Sequence, residues 1–395
     1  MEIRVLKVQS TVNFALQKEG GSVGFLGNSS QKREGSRENT GNFLHGFAAR
    51  YVVGQHRDIF LNNLTEETVE DYRANLTHIA FVAANLVRNR GNDALDSGHR
   101  KRADIIEKLN LPVVVFGLGA QARLGQSLSD MDISPDTRRL LAVISHHSSK
   151  IAVRGEFTAD LCKHLGIHNV EVIGCQSCFI SRRPDFKIPE LTETPNADRL
   201  VVNVTYHARE LPLIKEAMSE GAAFIGQTEH FEYELAQLDE GAAIDNLPEN
   251  VRSLISPQLY NLFKSGRLDF LEYHRWVREK FVQYYSMPPW FAKLSSGEFD
   301  ACIGTRFHGN MAAMQSGVPS LWIVHDSRTQ EFCDYLGLPQ APLKALSEEK
   351  TVGDIFDKYY RTDGFAKKYQ EAYARFYAYL TEHGVPHKLA APLRN

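Results

Sequence analysis

The chain has 395 residues, with 45 Lys+Arg against 48 Asp+Glu and a formal net charge of −3. Hydrophobic residues make up 43% and charged residues 24%, which excludes a wholly disordered or fibrous chain and leaves room for two or three domains with real cores. The balanced charge argues against a dedicated nucleic-acid binder, and five cysteines in a chain of this length make no disulfide framework.

The opening Met1-Glu2-Ile3-Arg4-Val5-Leu6-Lys7 alternates like a strand and lacks the apolar core of a signal peptide. With no run of apolar residues long enough to span a bilayer, the expectation is a cytoplasmic protein, working at the inner face of the membrane if its substrate is lipid-linked. Short apolar runs then alternate with helical patterns, which predicts an α/β chain with mostly parallel sheets. Strands are expected at Ser22–Leu26, His78–Ala83, Pro112–Phe116, Lys150–Val153 and Val170–Ile173, with a helix over Phe157–Leu165 closed by Gly166. The segment Arg182–Asp198, with Pro184, Pro189 and Pro195 and no periodicity, reads as a linker.

The pattern restarts with strand Leu200–Val204, helix Leu211–Glu220 and strand Ala222–Ile225, then a long helical region near 248–298. Strand Phe299–Ile303, helix Phe307–Gln315 and strand Ser320–Val324 follow. A last helix near Phe365–Glu382 sets Phe365, Tyr369, Ala372, Phe376 and Leu380 on one face. These units predict two Rossmann-like lobes, residues 1–190 and 191–345, with a cleft between them and a C-terminal helical segment over 346–395.

The richest motif is Gly304-Thr305-Arg306-Phe307-His308-Gly309-Asn310. It places Arg306 and His308 where a buried strand meets a helix N-terminus, with Thr305 as a competent N-cap. Free backbone N–H groups and the positive end of the helix dipole favour an anion there, and an arginine adds a bidentate fork. The bland alternative pairs Arg306 with a carboxylate and makes His308 structural. Arg154, where another strand meets a helix, repeats the arrangement, and Arg328, in the loop after the Ser320–Val324 strand, reads equally as facing the same ligand or as a solvated loop arginine.

Gly117-Leu-Gly119-Ala-Gln121-Ala122 fits G-x-G-x-x-A after a strand. The Arg123–Asp130 stretch that follows is a poor helix start, so a tight turn lining the cleft is expected rather than a dinucleotide site. Cys175-Gln-Ser-Cys178 lacks the helix that lowers a redox thiol's pKa and the second pair that zinc needs, so it reads as a loop with buried thiols. His146-His147 reads as a polar loop before a strand. Asn39-Thr40-Gly41-Asn42-Phe43 and Gly24–Asn28 bracket a polar loop that reads equally as substrate-side or as plain surface.

With Gly304–Gly309 followed by Gly317-Val-Pro319 and the Asp326/Arg328 loop, the chain resembles the polysaccharide pyruvyl transferase family. Ala152-Val-Arg154, Lys163-His-Leu-Gly166, Gly117-Leu-Gly119 and Asn39-Thr-Gly41-Asn42 support the likeness by their order, over about residues 22–340. After its second strand the chain carries Ala83-Ala-Asn85, where a Gly-rich turn is frequent in relatives.

The resemblance implies a GT-B-like fold and transfer of the enolpyruvyl unit of phosphoenolpyruvate onto two sugar hydroxyls, forming a cyclic ketal. It implies His308 and Arg306 as catalytic residues. Arg154, Arg328, Gly309, Thr305, Gly117, Gly119, Gln121 and Asn42 would surround the substrates. Phosphoenolpyruvate is the donor substrate, a sugar or lipid-linked oligosaccharide the acceptor, and neither metal nor cofactor is expected. The alternatives are a GT-B glycosyltransferase using a nucleotide sugar and a catalytically silent sugar- or anion-binding member. The oligomeric state is left open.

Overall fold

A computed structural model describes residues 21–27, 29, 31–60, 64–89, 93–122 and 126–393. The strand expected at Met1–Lys7, together with Asn28 and the Arg123–Gly125 part of the poor helix start, lies outside them.

The strands are β1 (Val23–Gly27), β2 (Arg57–Asp58), β3 (His78–Val82), β4 (Val87–Arg88), β5 (Val113–Phe116), β6 (Ala120–Gln121), β7 (Ile151–Val153) and β8 (Val170–Val172), then β9 (Leu200–Asn203), β10 (Ala223–Gly226), β11 (Phe281–Gln283), β12 (Ala301–Gly304), β13 (Ser320–Val324) and β14 (Gln340–Pro342). They build a four-stranded sheet in the order β2-β1-β3-β5 and a six-stranded sheet in the order β11-β10-β9-β12-β13-β14. Every pairing within both is parallel. Two short parallel pairs, β4-β6 and β7-β8, extend the first lobe, and a Leu118–Val153 bridge stitches the second pair to the turn after β5. The Arg182–Asp198 stretch separates the last strand of the first group from β9. The result is two Rossmann-like lobes facing each other, a GT-B-like arrangement.

Parallel strands are covered on both faces, so they read as continuous apolar runs. That is why Val113-Val-Val-Phe116 and Ala301-Cys-Ile-Gly304, buried at every position, are legible as strands in the sequence. β11 is not, and it interrupts the region expected to be helical. Its three residues gain a partner only by pairing with β10 at the sheet edge. His146 and His147 also differ from expectation: they form the last turn of a helix, Pro135–His147, opened by the Ser134 side chain.

The helix expected over Phe365–Glu382 has those bounds and crosses back onto the first lobe. Tyr379 Oη donates to the Val115 carbonyl and accepts from the Val115 amide, both at 3.0 Å. One apolar core runs through both lobes, joining Phe43, Phe47 and Phe116 to Met311, Trp322 and Tyr373.

Candidate active site

Between the carboxyl ends of the two sheets lies a cleft of about 450 Å³. The described residues of its wall include the arginines 88, 102, 154, 306 and 328, and Asp326 as the carboxylate. Of the site residues expected from the sequence, His308, Arg306, Arg154, Arg328, Thr305, Gln121 and Asn42 line it.

Arg154 leaves β7 just before the Glu156–His164 helix, and its side chain is 3% exposed. Nη1 donates to Asn85 Oδ1 at 3.1 Å, whereas Nε and Nη2 are buried without a partner. The guanidinium lies over the Phe332 ring at 5.3 Å. Burial is the main influence on it and, with Arg328 nearby, lowers its pKa to about 10. A buried cation with idle donors is costly unless an anion meets it.

Gly117 and Gly119 do not line the cleft; they make the slot in which Arg154 lies. A Cβ at Gly119 would fall 2.9 Å from Arg154 Cδ, and one at Gly117 2.7 Å from His45 Nε2 and Gln176 Oε1. Gly117 also turns through a φ of +62°. The chain then enters β6 rather than a helix, so the G-x-G pattern offers no helix N-terminus to a dinucleotide.

Opposite the slot, Ala84 holds a φ of +90°. Its carbonyl accepts from the Gly119 amide at 2.8 Å, which fixes the strained turn and presents Asn85 to Arg154. Glycine would take this conformation without strain, and such a position in an L-residue costs on the order of 1–3 kcal/mol.

His308 stands in the first turn of the Phe307–Gln315 helix, partly exposed to the cleft. Burial, then Arg154, then Arg328, holds its pKa well below the usual 6.5. Its Nε2 is 3.7 Å from Cys175 Sγ, and its ring meets that of His45 edge-on at 5.8 Å. His45 is fully buried on the Gly41–Val53 helix and is likewise held well below its usual range by burial, Arg154 and His308. That helix begins within the segment read as a loop, and it sets Asn42 at the cleft. Cys175 and Cys178 are buried free thiols, the latter raised well above its usual pKa by burial.

Arg306 behaves differently. Nε donates to the Val204 carbonyl at 2.7 Å, and Nη2 binds Thr228 Oγ1 and Glu229 Oε1. Its fork is therefore tied to a carboxylate. Arg306, not Thr305, occupies the N-cap position, and Asn203 Oδ1 takes the Arg306 amide at 2.8 Å. Thr305 Oγ1 instead donates to the buried Glu210 at 2.7 Å. Gly309 does not line the cleft: a Cβ there would fall 2.5 Å from Gln227 Nε2, so the glycine lets the helix pack closely on Gln227 and Asn203.

Arg328 sits in the first turn of the Ser327–Leu336 helix, capped by Asp326. Nη2 reaches Asp326 Oδ2 at 3.3 Å and Nε is buried without a partner. From the same helix, Glu331 crosses to the first lobe and accepts from the Phe157 amide at 2.5 Å, a carboxylate at a helix N-terminus that clasps the lobes beside Arg154.

Two parallel α/β lobes meeting at a basic cleft define a GT-B-like build. The family model for polysaccharide pyruvyl transferase matches residues 39–327, and the chain belongs to that family. No curated protein sequence matches it. Among solved structures it is similar to Anabaena HepE in complex with UDP-glucose, at 11% identity over 92% of this chain and 98% of that one, with a TM-score of 0.45. UDP-GlcNAc 2-epimerase from Methanocaldococcus jannaschii is similar at 10% identity over 91% and 99%, with a TM-score of 0.43. The wall teichoic acid polymerase TagF is similar at 10% identity over 93% and 90%, with a TM-score of 0.40. Among the described residues no helix is long and apolar enough to cross a membrane.

Proposed function

We propose that this protein transfers the enolpyruvyl group of phosphoenolpyruvate onto two hydroxyls of a sugar in a glycan precursor, forming a pyruvate ketal. The observation that carries this reading is Arg154, buried with two idle nitrogens beside Arg328 and His308. Phosphoenolpyruvate brings a carboxylate and a phosphate on one carbon, and paired guanidinium groups bind such a dianionic headgroup with planar, charge-assisted hydrogen bonds.

Before the donor arrives, burial together with the Arg154 and Arg328 charges keeps His308 neutral. An arriving anion cancels their field and raises the imidazole pKa, so donor binding itself loads the proton. His308 then gives that proton to the methylene carbon while a sugar hydroxyl attacks the neighbouring carbon. Phosphate leaves as its C–O bond breaks, and a second hydroxyl closes the ketal ring on the same carbon. One hydroxyl proton replaces the one given to the methyl group; the other leaves with phosphate. Arg154 and Arg328 hold the donor, and Arg306, tied to Glu229, holds the helix that carries His308. Asn42, Thr305 and Gln121 are acceptor-side wall.

The test is phosphate release from phosphoenolpyruvate across a panel of glycosides, with His308→Ala alongside. The variant should keep donor binding and lose turnover by about 10²–10⁴-fold, the usual contribution of a positioned acid. A fully active variant removes His308 from the mechanism. Binding of UDP-sugars in place of phosphoenolpyruvate would overturn the donor assignment.

A further inference from the structure

The first-lobe end of the cleft holds a second group of cations that the donor chemistry leaves unused. Arg88 ends β4, where Val87 is buried and Arg88 alternates outward, opposite Gln121 of β6. His99 and Arg102 lie one turn apart on the Asp93–Leu109 helix, and they line the cleft wall together with Arg88 and Gln121.

His99 is fully buried. Nδ1 is engaged by Thr137 Oγ1 at 2.8 Å, while Nε2 is buried without a partner. Arg102 and Arg88 are close enough to help burial hold the ring neutral. The nearby carboxylates are taken: Asp96 accepts from Ser134 Oγ at 2.6 Å and Asp136 pairs with Arg100 at 2.7 Å. Among the described residues neither Arg88 nor Arg102 has an ion pair.

Gly98 supports this placement. Glycine inside a helix is unfavourable by about 1 kcal/mol against alanine, yet a Cβ here would lie 2.8 Å from Arg102 Nη1. The glycine gives the guanidinium a track back along the helix into the cleft.

The geometry points to a second anion subsite, Arg88–His99–Arg102, that takes a phosphate carried by the acceptor sugar. This rests on the phosphoenolpyruvate reading for the occupant's role as acceptor. Asn85, which holds Arg154, and Arg88 are three residues apart, so the two groups of cations neighbour each other along one wall: Arg154 and Arg328 face His308, and Arg88 and Arg102 face His99. Phosphoenolpyruvate carries both of its anionic groups on one carbon and is matched by Arg154 and Arg328, which leaves the second group of cations for another anion. A sugar ring with a phosphate on its anomeric carbon supplies one, placing its hydroxyls toward the donor and its phosphate at Arg88 and Arg102.

The experiment has a binding arm and a turnover arm on the full chain. Without donor, hexose 1-phosphates should stabilise the protein in thermal shift where methyl hexosides do not. Arg102→Gln and Arg88→Gln should each weaken that binding by roughly tenfold or more, the worth of one charge-assisted hydrogen bond. Gly98→Ala should weaken it while leaving the melting temperature level or higher, a pairing that damage to the fold would not produce.

In turnover, ketal formation read by mass should favour hexose 1-phosphate, UDP-hexose or farnesyl-diphosphate-linked hexose over the methyl hexoside, and whichever leads names the source of the phosphate. The double arginine variant should bring that preference close to unity. Equal binding of phosphorylated and neutral sugars, or a preference that survives the double variant, overturns the subsite. Arginine-dependent binding without ketal from any acceptor upholds the subsite and discards the donor reaction instead.

Discussion

Arg154 and Arg306 sit at matching places in the two lobes. Each follows a buried parallel strand and opens a helix, and in the sequence each reads as an anion clamp. Their surroundings divide them. Arg306 meets Glu229, Thr228 and the Val204 carbonyl and is internally neutralised. Arg154 meets one Asn side chain, an aromatic face and three other cations or cation-capable rings, Arg328, His45 and His308. A guanidinium at a strand–helix junction is thus a strut where its own lobe supplies a carboxylate, and a binding group where it does not.

The sharpest way to break this contrast is to truncate each in turn. Arg154→Gln should raise the Kd for phosphoenolpyruvate by about a hundredfold or more, since at least two charge-assisted hydrogen bonds are lost. The melting temperature should hold or rise, because an uncompensated buried cation is removed. Arg306→Gln should do the opposite. It strands Glu229, at a cost of about 3 kcal/mol in chemical unfolding, and Glu229→Gln on top should restore much of it. If Arg306→Gln abolishes donor binding at unchanged stability, the two arginines are equivalent after all.

A smaller effect is expected with pH. His45 and His308 are held below 6.5 in the folded chain, and His99 is lowered to about 4. As pH falls from about 6.5 toward 4, the unfolded chain therefore binds protons that the native chain refuses, and stability must fall. Phosphoenolpyruvate should flatten the His308 part of that slope, and its binding near neutral pH should take up protons, measurable by calorimetry in buffers of different ionisation enthalpy. A slope unchanged in His308→Gln would contradict the placement of that ring.

The least effect concerns the turn that presents Asn85 to Arg154. Ala84→Gly should relieve the positive φ and add up to about 1 kcal/mol of stability, the strain relieved being partly offset by chain entropy. Arg154 keeps its partner in that variant, so donor affinity should move little.

Local patterns marked the Phe307–Gln315 and Phe365–Glu382 helices and the buried strands, because a 3.6-residue period, a C-cap glycine and an unbroken apolar run each report a neighbour-by-neighbour preference. The same logic put Arg154, Arg306, His308 and Arg328 at the carboxyl edge of parallel sheets, where the topology opens a cleft. Asn85, His45, Glu229, His99 and Arg102 gave no such sign. Three of them matter through a partner far along the chain, Asn85 through Arg154, His45 through His308 and Glu229 through Arg306, and His99 and Arg102 through the cleft wall they share with Arg88.

The amino-acid order by itself settled the alternation of strands and helices and the residues at their junctions, since those depend on contacts a few positions apart. Which guanidinium would be neutralised and which left waiting was decided only when the lobes came together, because charge is compensated through space and not along the chain.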